Sequence, residues 1–132
     1  MKVLALDYGA ARTGIAVSDP TGTLARPLGV VERAGSDAGL RRVAALVTEN
    51  EAELVLVGLP LTLRGEHGEQ AQETERFVAA LRRVVQVPVE TFDERFTTKI
   101  AAQSPGSEAA EDARAAAHLL AGYLERLGAR GE

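Results

Sequence analysis

The chain has no cysteine, two lysines, and no long apolar run. Without cysteine there is no disulfide framework, no thiolate metal site and no cysteine nucleophile. No apolar stretch approaches the ~20 residues that a membrane-spanning helix needs. Met1-Lys2-Val3 leads straight into a strand and lacks the apolar core and cleavage site of a secretory leader, so the expected location is the cytoplasm. A positive overall charge is missing too. The net charge is −4, so no global basic field draws nucleic acid to the surface. Thirteen of the fifteen basic residues are arginine, and composition alone does not separate a coding bias from selection for phosphate binding.

What is present is ordinary for a globular chain. Its 132 residues, 45% hydrophobic and 26% charged, are enough to bury a core and predict a single domain over residues 1–132. Val3–Leu6 and Gly14–Val17 read as strands joined by a glycine-bearing turn. A third strand spans about Thr23–Glu32, and its Pro27 belongs at a sheet edge because proline cannot donate to a ladder. Gly35-Ser36-Asp37 starts a helix with Leu40, Val43, Ala44 and Val47 on one face. Glu53–Val57 is a short buried strand ended by Gly58-Leu59-Pro60. Thr62–Gln70 is a polar, glycine-spotted loop, and a second helix follows with Phe77, Leu81 and Val84 at helical spacing. Val87–Phe92 is the fifth strand. A short helical stretch over Thr97–Gln103 is broken by Ser104-Pro105-Gly106, and Ser107 caps a last helix to about Leu127. Tight turns make the first three strands antiparallel, and helical crossovers make the later ones parallel to the first. The class is therefore α/β, with a mixed five-stranded sheet in the order 3-2-1-4-5 and helices on both faces.

In such a sheet the C-terminal ends of the parallel strands share one edge, where functional groups gather. Asp7 ends the first strand, Asp93-Glu94 the fifth, and Gly58-Leu59-Pro60 the fourth. On the last helix Asp112 shares a face with Ala116, Leu119, Leu120, Tyr123 and Leu127, the apolar side. Glu111 falls with Arg114, His118 and Glu125 on the side expected to be wet. Each acid alone has a bland reading: Asp7 as a turn residue, Asp112 as a cap, Asp93 or Glu94 as a partner of Arg95. Together, acids from three segments at one edge point to a hard-cation site for Mg²⁺ or Mn²⁺. Two such ions would suit phosphodiester hydrolysis. His67 in the polar loop and His118 on the helix need no role in that chemistry.

With those residues placed, the chain resembles the YqgF/RuvX family, Holliday junction resolvases also described as pre-16S rRNA processing nucleases. The resemblance runs from Lys2 to Tyr123 and rests on LALDYGAARTGIAVSD, VGLPLTLRGEHGEQA, FDERFTT and EDARAAAHLL. It implies a ribonuclease H-like fold and metal-dependent phosphodiester cleavage. By the same match Asp7, an acid of Asp93-Glu94, and Asp112 are catalytic metal ligands. Arg12, Arg64, Arg95 and Thr97, with Lys99 beside them, take nucleic-acid contacts. Ala11 stands where the family's first motif commonly has a lysine, leaving Arg12 the one base of that turn. The implied partner is a four-way DNA junction or precursor rRNA. A junction cut twice symmetrically calls for a homodimer.

Two other readings are weighed against this one. The Asp-x-Gly turn also resembles the phosphate loop of sugar kinases and actin-like ATPases, which enclose a nucleotide between two such domains. A degenerate nuclease domain that only binds is the second, and the retained acids speak against it. Residue types alone leave open Asp93 against Glu94, and junction against rRNA.

Overall fold

The computed structural model describes residues 1–60, 64–93 and 108–129. Its elements are β1 (Val3–Asp7), β2 (Arg12–Ser18), β3 (Ala25–Glu32), α1 (Asp37–Glu49), β4 (Leu54–Leu59), α2 (Glu69–Arg82), β5 (Val89–Asp93) and α3 (Glu108–Ala129). The sheet order is β3-β2-β1-β4-β5, as the alternation of strands and crossovers requires. β1 pairs antiparallel with β2, β2 antiparallel with β3, and β1, β4 and β5 run parallel. Pro27 lies on the edge strand β3, opposite Ala16, next to a register shift between Ile15 and Ala16.

Strand alternation divides the core in two. On one face Leu4, Leu6, Ile15, Val55 and Val57 pack against α1 and α2 through Val43, Phe77 and Leu81. On the other, Val3, Ala5, Ala16, Leu54 and Leu56 pack against α3 through Ala116, Leu119 and Leu120. A fully buried leucine contributes roughly 1.5–3 kcal/mol by leaving water, more than an exposed ion pair does. These two layers therefore hold the fold, and surface charge does not. Ser36 starts α1 by accepting the Gly39 N–H at 3.0 Å. Among the described residues no helix is long and apolar enough to cross a membrane.

Some boundaries differ from the sequence-based expectation. β3 begins at Ala25 because Asp19 organises the preceding turn, its carboxylate accepting the N–H groups of Thr23 at 2.8 Å and Leu24 at 3.0 Å. α2 ends at Arg82, so Val84 lies beyond it and is 42% exposed; Ala71, Thr74, Phe77, Val78 and Leu81 form the buried face instead. On α3, Glu111 and Glu125 are exposed as expected, but Arg114 and His118 are half-buried, not wet. The expected helical stretch over 97–103 and the Ser107 cap lie outside the described residues.

Asp19 gives the turn a pH signature. The Thr21 hydroxyl, then the Leu24 and Thr23 amides, hold its carboxyl down to about 2 from the usual 3.8. A depressed folded pKa means the contribution is present above 3.8 and is lost as pH falls toward about 2. The melting-temperature difference between wild type and Asp19→Asn should therefore be constant near neutrality and shrink across that window. A difference that stays constant down to its lower end would show that Asp19 does not carry the titration.

Candidate active site

The pleat decides which way each acid faces. In β1, Leu4 and Leu6 belong to the α1/α2 layer, and Val3 and Ala5 to the α3 layer. Asp7 continues the second set, so its side chain lies on the α3 side at the C-terminal end of the strand. Its antiparallel partner on β2 is Gly14. The β1–β4 register, with Leu6 opposite Val57, brings Gly58 level with it on the other side. Both neighbours are glycines, so neither of these two positions puts a side chain beside the carboxylate.

Gly14 does more than leave room. A Cβ built on it would collide with the backbone carbonyl of Asp112, so α3 rests directly on β2 at this point. Residues opposed on antiparallel strands have Cα atoms about 5 Å apart, so the Asp112 carbonyl, in the first turns of α3, lies over the cross-strand partner of Asp7. Arg12 has the same phase as Gly14 and Ala16, and its Nε donates to Asp112 Oδ2 at 2.8 Å. The side chains of this pair are 40% and 33% exposed. Sequence reasoning gave Arg12 and Asp112 separate tasks, phosphate contact and metal ligation. The fold joins them.

The remaining expected site residues divide by position. Phe92 packs on the α3 side, edge-on to Tyr123 with ring centroids 5.5 Å apart, whereas Val89 belongs to the opposite layer. By that alternation Asp93 has the phase of Val89, away from Asp7. Glu94, Arg95, Thr97 and Lys99 lie outside the described residues. Arg64 is exposed in the turn after β4, followed by Gly65 at φ +80°, a conformation that favours glycine. His67 Nδ1 is 2.8 Å from Glu75 Oε1, tying the polar loop to α2.

One cleft at this edge, about 230 Å³, is lined by Asp7, Tyr8, Gly9, Ala10, Pro60, Gln70, Glu73 and Thr74. Tyr8 forms part of its wall and is held by stacking on Phe77, with centroids 4.4 Å apart. Gln70 and Glu73 were not anticipated. Their spacing of three on a helix that starts at Glu69 was the available signal, hidden because Gln70 reads as loop. Among the described residues no group of three or more histidine, aspartate or glutamate side chains could by itself hold a metal ion. Asp7 and Asp112 fit a hard divalent cation in kind, as oxygen donors on one face, and would supply two ligands. Arg12 beside Asp112 shows that this carboxylate already takes a cationic partner.

Residues 1–126 match the family described as RuvX: Holliday junction resolvase. A relative from Chloroflexus aggregans is 46% identical, with 76% of this chain and 71% of the relative covered. One from Rhodococcus erythropolis is 42% identical, covering 92% and 76%. One from Anaeromyxobacter is 41% identical, covering 95% and 97%. All three carry the name pre-16S rRNA nuclease. Among solved structures, Thermus thermophilus RuvC in complex with a Holliday junction substrate superposes with a TM-score of 0.61 at 21% identity, over 97% of this chain and 96% of that one. The Fowlpox virus resolvase bound to Holliday junction DNA gives 0.56 at 13% identity, over 96% and 99%. These likenesses show a shared fold, of the ribonuclease H-like kind that the motifs implied.

The close approach at Gly14 is directly testable. Gly14→Ala must push α3 off β2, and overpacking of this sort typically costs about 1–3 kcal/mol. Gly29→Ala is the control, since a Cβ there meets nothing within 4 Å. Thermal melts should show a clear loss for the first variant and little change for the second. Equal melts would mean α3 does not rest on β2 as described.

Proposed function

The chain belongs to the RuvX family of Holliday junction resolvases, and on that footing we propose that it is a nuclease whose cleavage of structured nucleic acid depends on Mg²⁺ or Mn²⁺ held by Asp7 and Asp112. The carrying observation is that the backbone carbonyl of Asp112 lies directly over Gly14, the cross-strand partner of Asp7, on one face of the sheet at the C-terminal end of β1. Of the Asp93-Glu94 pair, the phase of β5 turns Asp93 away from Asp7, which favours Glu94 as the third ligand. Bound there, one or two divalent ions would activate water and neutralise charge on the leaving oxygen. Asp7 and Asp112 would anchor and orient the ions. Arg64, Arg95, Thr97 and Lys99 hold the phosphate backbone, which fixes register without reading sequence.

The relatives' names favour precursor 16S rRNA as substrate, and the family's description favours a four-way DNA junction. On a junction, paired symmetric cuts call for two copies of the chain. One cleavage panel separates these readings: a four-way junction, linear duplex, single-stranded DNA and precursor rRNA, each with Mg²⁺ or Mn²⁺. Cleavage of none of them, with binding retained, would favour a degenerate binding module.

Asp7→Asn and Asp112→Asn should each abolish cleavage while leaving the melt close to wild type, because the changes are nearly isosteric. Glu111→Gln, exposed and one residue from Asp112, should cleave normally. Glu94→Gln should be far more damaging than Asp93→Asn. Should Glu111→Gln lose activity and Asp112→Asn keep it, the phase of α3 is wrong and the metal site with it.

Arg64→Ala should weaken nucleic-acid binding and lower the log–log salt slope by about one unit, the signature of one lost phosphate contact. Binding isotherms at several salt concentrations measure both. An unchanged slope would remove Arg64 from the binding surface.

A further inference from the structure

We infer that Arg12 is an exchangeable counterion of Asp112: it holds the carboxylate when no divalent cation is bound and turns to a nucleic-acid phosphate when one is. This rests on the metal-dependent reading of the Asp7–Asp112 site and adds a coupling between cation and substrate that the reading does not contain.

Three observations carry it. First, the same Asp112 carboxylate that would ligate a cation accepts the Arg12 Nε at 2.8 Å. A divalent ion arriving there places two further positive charges beside the guanidinium, so the Arg12 pairing weakens as the ion binds. Second, the pair is half-exposed, at 40% and 33%, and ion pairs in that setting are weak enough to be exchanged. Third, the backbone on both sides is fixed. Arg12 begins β2, and Asp112 is pinned over Gly14 two residues further along the same strand. Only the long arginine side chain has to swing, and the short Asp112 side chain stays where the cation needs it.

Where Arg12 would go follows from the turn. Between Tyr8 and Arg12 there is no other basic residue, so Arg12 is the base this turn itself offers to a phosphate lying over it. Arginine keeps its charge at any working pH, and its planar fork suits carboxylate and phosphate alike. By linkage, the factor by which a divalent cation strengthens nucleic-acid binding equals the factor by which nucleic acid strengthens cation binding.

The test uses the full chain and two readouts other than turnover. Calorimetric titration with Mn²⁺, without nucleic acid, should give Arg12→Gln an affinity about two- to five-fold above wild type, the range a half-exposed pair is worth. Anisotropy with a labelled four-way junction, in chelator and in Ca²⁺, should show the cation tightening wild-type binding by a similar factor. Arg12→Gln should bind more weakly in Ca²⁺ and lose that enhancement. In chelator, Asp112→Asn should bind the junction more tightly than wild type, whereas Arg12→Gln/Asp112→Asn should show no such gain over Arg12→Gln. Glu111→Gln, which removes a charge next door, calibrates the purely electrostatic background.

Mn²⁺ affinity that is unchanged or lower in Arg12→Gln overturns the inference, since Arg12 would then be inert or would orient Asp112 for the ion. A wild type that cleaves with Mn²⁺ but binds the junction equally in chelator and Ca²⁺ also overturns it, while leaving the nuclease reading intact. No Mn²⁺ binding and no cleavage on any substrate would instead remove the nuclease reading, and the inference with it.

Discussion

The C-terminal edge of this sheet is organised by one close approach, α3 lying on β2 at Gly14. Helices normally stand off a sheet by the thickness of two layers of side chains. Here the α3 layer is built from small residues where it matters: Ala5, Gly14 and Ala16 below, Ala113 and Ala116 above. Glycine inside a strand is destabilising by roughly 0.5–1 kcal/mol, so its use at position 14 needs an offsetting gain. The gain is geometric. A side chain at that position would lift the start of α3, and Asp112 would leave the neighbourhood of Asp7.

The opposite layer is different in kind. Leucine, valine and phenylalanine fill the space between the sheet and α1 and α2, and this thick core supplies most of the burial. It reaches the C-terminal edge at Tyr8, which stacks on Phe77 and forms part of the cleft's wall. Successive residues of one strand end, Asp7 and Tyr8, thus serve opposite faces. One carries charge toward α3 and the other braces the turn against α2. The period of two in a strand is enough to produce this division from adjacent residues.

Much of this was legible from residue patterns, and the failures have physical causes. Strand order followed from turn lengths and crossovers, and the inward phase of Asp112 followed from helical periodicity. The half-burial of Arg114 and His118 did not. A helical wheel gives direction but not the width of the surface a helix meets, and close contact with the sheet covers the flanks of α3 as well as its centre. Val84 was misassigned because an apolar residue at the right spacing carries no notice that the helix has ended two residues earlier. The phase of Asp93 was not legible either, because it follows from Phe92 packing on Tyr123 with Val89 in the opposite layer, which no local pattern gives. The Arg12–Asp112 pair joins residues separated by 100 positions, beyond any local rule.

That pair also gives the arginine-rich composition a meaning it lacked as a count. Carboxylates gathered at one edge repel each other, and each would be costly to leave unpaired as the surface around it closes. A lysine or an arginine could neutralise Asp112, but arginine is more weakly hydrated and leaves water more readily for a carboxylate or a phosphate. Position 12 has arginine, and position 11, the other candidate in the turn, has alanine. On our inference, a single cation that serves either anion would make the site's charge depend on what is bound to it. The same residue would then lower self-repulsion in the metal-free protein and add grip on substrate in the loaded one, with no second base needed in the turn.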